Sequence, residues 1–218
     1  MIAAAGTLWI KVCGMCNEQA IAAAAAAGAN AVGFVFHEPS PRHLQAAQAR
    51  DLAARVPAGI ETVAVFLHPS QATVDAALAA IRPDWVQTDF ADLESLRLPP
   101  GQRVMPVFRT GRAEAIEALD RQRFPRVLLE SGRSGFGERA DWAEAARIAS
   151  SIRTVLAGGL DAGNVADAVT TVRPFGLDVS SGVERTRGVK DVALIHEFVQ
   201  TARTAEARLA SSSLGESH

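Results

Sequence analysis

Short runs of apolar, largely β-branched residues recur along the chain, separated by longer stretches in which alanines mix with charge. The runs lie at 8–13, 31–36, 62–67, 85–88, 104–108, 127–129, 155–157 and 177–179. Most are continuous rather than alternating, the pattern of strands buried on both faces of a parallel sheet. Between them, 18–27, 45–56, 71–81, 113–122, 142–151, 165–172 and 192–202 carry the apolar spacing of amphipathic helices, and 91–96 is a shorter helical candidate. Turn residues punctuate the intervals, notably Pro39 and Pro41, Pro83, and Pro99-Pro100-Gly101. Ser70 and Asn164 stand where N-caps belong. Run centres recur every 20 to 30 residues or so without sequence self-similarity, which reads as a βα repeat rather than a solenoid. Eight βα units in 218 residues predict an α/β fold, a single-domain (β/α)8 TIM barrel over 7–203. Segments 1–6 and 204–218 are expected to be poorly ordered extensions. An open doubly wound sheet fits less well, because no Gly-x-Gly-x-x-Gly turn follows the first run.

Two runs end in small residues suited to an anion. Val155-Leu156-Ala157 leads into Gly158-Gly159-Leu160, and Leu177-Asp178-Val179 leads into Ser180-Ser181-Gly182. Small residues at a strand's C-terminal end let backbone N–H groups approach a phosphate, and a nearby helix start adds its dipole. The last two strands of a barrel often build such a grip. Gly158, Gly159, Ser180, Ser181 and Gly182 are therefore the expected phosphate cup, and the expected ligand is a phosphorylated small molecule.

Other candidates cluster at predicted strand ends. The first run closes Lys11-Val12-Cys13-Gly14. Alternation points Lys11 and Cys13 inward, with Cys13 at the rim as a thiolate base or a small buried hydrophobe. Arg42 follows Pro39-Ser40-Pro41, whose stiffness presents either a carboxylate-holding fork or a solvated arginine. Glu130 ends the sixth run as a candidate proton donor, or as a partner of Lys11 across the interior. Residues 132–137 form a glycine-rich loop suited to a lid. Asp178 either holds sugar hydroxyls or is a buried structural partner. Acid and base around a phosphosugar suggest proton-transfer isomerisation.

Composition narrows the field. Net charge is −2 with scattered basic residues, which argues against nucleic acid. No apolar run approaches the roughly 18 residues of a membrane span. The opening residues lack the basic region of a signal peptide. With two cysteines and no export signal, a reducing cytoplasm is expected. Two cysteines and five scattered histidines offer no four-ligand zinc spacing, so no metal is expected. Cys13-Gly14-Met15-Cys16 also matches a dithiol redox motif, but a thioredoxin-like domain leaves eight βα units and two phosphate cups unexplained. The chain is expected to act as a monomer or homodimer.

Taken together, these residues resemble the phosphoribosylanthranilate isomerase family of tryptophan biosynthesis. The resemblance rests on Lys11-Val12-Cys13-Gly14, Ala31 to Phe36 with Ser40-Pro41-Arg42, and Leu156 to Leu160 with Asn164-Val165. It continues through Asp178 to Glu184 with Gly188-Val189-Lys190-Asp191. It implies a cofactor-free, metal-free Amadori rearrangement, an aldose–ketose isomerisation. Cys13 would be the base at sugar C2, and the acid on the sixth strand would open the furanose ring. Arg42 would hold the anthranilate carboxylate, while Gly159, Ser180 and Ser181 would cradle phosphate. The chain departs from the family pattern at four places. Glu130 replaces Asp, and Ser134-Gly135-Phe136-Gly137 replaces a Gly-Gly-Thr-Gly lid. Gln87-Thr88-Asp89-Phe90 replaces Gln-Leu-His-Gly, and Cys16 stands where Thr is usual. The alternatives are a paralogue isomerising another N-glycosyl phosphosugar, or a non-catalytic phosphosugar-binding barrel.

Overall fold

The computed structural model describes residues 7–111, 116, 118–131 and 140–215. Eight strands form the centre: β1 (Trp9–Cys13), β2 (Ala31–Val35), β3 (Glu61–Val65), β4 (Trp85–Asp89), β5 (Arg103–Arg109), β6 (Val127–Glu130), β7 (Thr154–Leu156) and β8 (Gly176–Val179). Each pairs in parallel with the next, and β8 pairs with β1, closing the barrel. Helices α1 (Glu18–Ala27), α2 (Ala46–Ala53), α3 (Gln71–Ile81), α4 (Trp142–Ala149), α5 (Val165–Val172) and α6 (Val192–Gly215) lie outside it. A single 3-10 turn, Phe90–Glu94, takes the place of a helix after β4. The helix expected at 113–122 lies partly outside the described residues.

The alternation of each strand divides the apolar residues into two cores. Outward-facing residues such as Ile10, Val12, Val32, Phe34 and Leu129 meet the helices. Inward-facing Trp9, Ala31, Val63, Trp85, Met105, Val107, Leu128 and Val155 fill the interior. Alanine-rich α1 buries Ala20, Ile21, Ala23, Ala24 and Ala27, and Asn17 caps it by accepting from the Ala20 N–H. Ser70 caps α3 through the Thr73 N–H, as expected.

Two features correct the sequence reading. The polar segment from residue 204 is helix, not a frayed tail: α6 runs to Gly215. Good helix formers outweigh its polarity there, and the added turns are anchored. Ala205 is buried, Glu206 Oε1 accepts from the Leu8 N–H, and Arg203 Nη2 donates to Asn30 Oδ1 at 2.8 Å. The second feature is an antiparallel hairpin, β9 (Glu184–Thr186) and β10 (Val189–Lys190), between β8 and α6. No helix therefore follows the second small-residue cup directly.

The end of the barrel at the strand N-termini is sealed by stacked cations and rings. The Arg126 guanidinium lies 3.9 Å from the Trp85 ring centroid, 4.8 Å from Trp9 and 5.1 Å from Phe175. Arg103 covers the Trp85 ring at 4.5 Å, and Glu61 sits 3.6 Å from Arg126 Nη1. Burial pushes the Arg126 pKa below its usual value, with Glu61 opposing. Replacing Arg126 by alanine removes the stack and leaves a gap among the rings. Denaturant unfolding should show a loss of about 2–3 kcal/mol.

Candidate active site

At the C-terminal ends of the strands the barrel opens into a cavity of about 290 Å³. Cys13, Arg42, Glu130, Gly158, Gly159, Asp178, Ser180 and Ser181 all line it. Gly182 does not line the cavity, although it was expected in the cup. It bridges Asp161, and a Cβ there would lie 1.9 Å from the Leu160 carbonyl oxygen. Its smallness joins the two loops of the cup rather than admitting a ligand.

The cup owes its shape to backbone that favours glycine. Gly158 and Gly159 have φ of 90° and 64°. Asn164 stands at the N-cap of α5 but makes no capping bond with its side chain. Its Nδ2 instead donates to the Gly159 carbonyl at 2.7 Å, and its Oδ1 accepts from the Asp161 N–H at 3.1 Å. The residue that reads as a helix cap thus braces the loop ahead of the helix. On the other side, Ser180 Oγ donates to the Cys13 carbonyl at 3.1 Å, and Lys190 Nζ donates to the Ser180 carbonyl at 2.9 Å.

Cys13 ends β1 with its thiol beside Lys11. Both need the empty space at Gly33 on β2, where a Cβ would lie 2.9 Å from Cys13 Sγ and 3.2 Å from Lys11 Nζ. Lys11 is fully buried and donates to both Asp178 carboxylate oxygens at 2.9 Å. Lys11 does not pair with Glu130, as one reading of the sequence expected, because Asp178 is its register partner on the adjoining strand. Burial pushes the Cys13 thiol above its usual pKa, against the pull of Lys11 and Lys190. Burial opposes the Lys11 charge, yet Asp178 and Cys13 outweigh it and hold its pKa above the ordinary value.

Glu130 ends β6 and pairs with Arg109, its register partner on β5, at 3.2 Å. Arg109 also donates to Asp89 Oδ1 at 2.8 Å. Phe90, which departs from the family pattern beside Asp89, is not a wall of the cavity. It stacks on Phe108 with centroids 4.9 Å apart and meets Phe124 edge-on. The expected lid at 132–137 lies outside the described residues.

Arg42 reaches the cavity, but part of its fork is already filled. Nε and Nη2 donate to the two Glu184 carboxylate oxygens at 2.7 and 2.8 Å. Glu184 also accepts from Lys190 Nζ at 2.8 Å and the Gly188 N–H at 2.9 Å. A guanidinium carries five N–H donors, so a second carboxylate has the Nη edge to bind. Burial works against the Glu184 charge, but these donors prevail and hold its pKa at about 2. Sequence reasoning quoted Glu184 and Lys190 without giving them a role, because a hairpin, not spacing, brings them to Arg42. Gln87 was also passed over. It is buried on β4 against the cavity, and its Oε1 has no hydrogen-bond partner among the described residues.

Cys16 lies off the cavity, its thiol directed at the Gly14 and Arg42 carbonyls. His68, Asp89 and Asp92 bring three possible metal-ligating atoms within 4.8 Å of one another. Within the group His68 Nδ1 and Asp92 Oδ1 lie 2.9 Å apart, and Asp89 Oδ1 accepts from Arg109 Nη1 at 2.8 Å.

A family model described as N-(5'-phosphoribosyl)anthranilate (PRA) isomerase matches residues 10–201. The chain belongs to that family. An isomerase of this name from Nitrobacter hamburgensis is 36% identical over 93% of this chain and 96% of its own length. A phosphoribosylanthranilate isomerase solved with reduced 1-(o-carboxyphenylamino)-1-deoxyribulose 5-phosphate is 28% identical, with a TM-score of 0.75 over 91% of this chain and 100% of that one. Monomers made from the dimeric Thermotoga maritima isomerase give 28% identity and a TM-score of 0.76, over 91% and 100%.

Within this family member, Glu184 should matter for stability in a pH-dependent way. Its carboxyl falls from 4.5 to about 2 on folding. Its stabilisation is therefore complete above about pH 4.5 and fades as pH drops through about 2. Glu184→Gln strands Arg42 and Lys190, a loss of roughly 3 kcal/mol at neutral pH. Urea titrations at stepped pH should show that deficit shrinking toward pH 2.

Proposed function

We propose that this chain is a phosphoribosylanthranilate isomerase. It rearranges N-(5-phosphoribosyl)anthranilate to 1-(2-carboxyphenylamino)-1-deoxyribulose 5-phosphate, a step of tryptophan biosynthesis. The observation that carries the reading is the meeting of Cys13, Glu130 and the phosphate cup in one cavity, with Arg42 at its wall. The cup receives the phosphate through Gly158, Gly159, Ser180 and Ser181, with Lys190 behind Ser180. Arg42, oriented by Glu184, offers its remaining edge to the anthranilate carboxylate. Asp178 and Gln87 face the sugar, where hydroxyl groups supply what their polar atoms need.

The chemistry is proton transfer throughout. Glu130 gives a proton to the ring oxygen as the C1–O bond breaks, leaving an iminium at C1. The Cys13 thiolate then takes the proton from C2, and the electron pair moves to neutralise the iminium nitrogen. The resulting enolamine becomes the ketone by gaining a proton at C1 and losing one from the C2 hydroxyl. No electrons leave the substrate, so none of these steps calls on a redox partner. The reaction belongs in the cytoplasm, and no helix among the described residues is long and apolar enough to cross a membrane. We read the chain as a monomer or homodimer.

A direct assay with N-(5-phosphoribosyl)anthranilate tests the reading. Cys13→Ala and Glu130→Gln should each reduce kcat by a factor of about a hundred or more, while Cys16→Ser keeps near-native turnover. A wild-type enzyme inactive on this substrate, yet binding phosphosugars, would overturn it. The Cys13 thiol is raised, so the thiolate base is scarce at neutral pH and grows as pH climbs. Alkylation of Cys13 by iodoacetamide in a Cys16→Ser background should accordingly be slow at neutral pH and quicken through the alkaline range, and Cys13→Ala should lose that reaction.

A further inference from the structure

Asp89, Arg109 and Glu130 lie side by side at the ends of β4, β5 and β6: Arg109 is in register with Glu130, and it stands two residues beyond Val107, the register partner of Asp89. Asp89 and Glu130 line the cavity; Arg109 does not. Its guanidinium lies behind them, with Nη1 on Asp89 at 2.8 Å and Nη2 on Glu130 at 3.2 Å. Asp89 is held from its other side too, with His68 Nε2 at 3.9 Å and His68 tied to Asp92 at 2.9 Å. The row thus runs from solvent to the carboxyl that must meet the ring oxygen.

A glutamate at a barrel mouth has more rotamers than the aspartate it replaces, and most of them miss any one target atom. A planar fork braced by a second carboxylate removes that freedom. Charge balance matters as much. Two carboxylates share one guanidinium, so a proton on Glu130 leaves a neutral Asp89–Arg109 pair. A lone arginine beside the acid would favour its ionised form and oppose proton donation.

We propose that Arg109, braced by Asp89, is a positioning residue of this active site: it aims Glu130 at the ring oxygen, while Asp89 neutralises it so that Glu130 can carry a proton. The proposal rests on Glu130 being the acid. It concerns the chemical step, not the affinity for phosphate or anthranilate.

The test is a steady-state series with N-(5-phosphoribosyl)anthranilate on Arg109→Met, Arg109→Lys, Asp89→Asn, Glu130→Asp and the Arg109→Met/Glu130→Asp double variant. Misplacing a catalytic group by about 1 Å costs on the order of a hundredfold. Arg109→Met should therefore lower kcat roughly tenfold to a hundredfold with KM within about twofold, and Arg109→Lys should recover part of the loss. Asp89→Asn should also lower kcat, since the brace keeps its shape but loses its charge. In the Glu130→Asp background the arginine substitution should have a much smaller effect, because the shorter carboxyl no longer reaches the fork. Equal kcat losses in both backgrounds, losses confined to KM, or native kcat in both Arg109→Met and Asp89→Asn would overturn the proposal. If Arg109→Met does not fold, judged by its thermal transition, Arg109→Lys and Asp89→Asn decide it. Failure of the functional reading is distinguishable, because the wild type would then not turn over this substrate at all.

Discussion

The seam between the first and last strands of the barrel is held by one buried ion pair, and the active site is assembled around it. Lys11 on β1 and Asp178 on β8 are 167 residues apart in sequence, yet stand opposite one another in register with both carboxylate oxygens on one ammonium. Buried charges are tolerated only when paired in this way. Once the pair forms, Cys13 must emerge two residues further along β1, next to Ser180 two residues further along β8. The Ser180 hydroxyl closes that contact on the Cys13 carbonyl. Cys13 and Ser180 are thereby brought together by the step that closes the sheet. Gly33 on the neighbouring strand supplies the room that a lysine and a thiol need side by side.

Around that seam the mouth carries two charge clusters of opposite character. On one side, Arg42 and Lys190 both pair with the carboxylate of Glu184. On the other side, Asp89 and Glu130 both pair with the guanidinium of Arg109. Little of this needs to move on binding, because each charged side chain is already held by a neighbour.

The far end of the barrel shows the same economy with different materials. There Arg126 is stacked among Trp9, Trp85 and Phe175. Stability lies at the strand N-termini and reactivity at their C-termini, so substitutions at one end need not disturb the other.

Periodicity and local chemistry determined a good deal by themselves. Continuous apolar runs separated by amphipathic stretches point to eight βα units, because a parallel sheet covered by helices buries its strands on both faces. Within it, strand-end positions made Cys13, Glu130, Asp178 and the small residues after β7 and β8 legible as mouth residues. Tertiary structure alone decided who pairs with whom. Lys11 meets Asp178 rather than Glu130, and Glu184 meets Arg42 through a hairpin that no run of residues announced. Asn164 braces a loop instead of capping a helix, and Gly182 joins two loops instead of facing a ligand. Helix α6 outran its apparent end because its anchors, Leu8 and Asn30, lie far away along the chain. The physical reason is common to all of these: period and propensity are local, whereas an ion pair is chosen by register and closure between segments far apart in sequence.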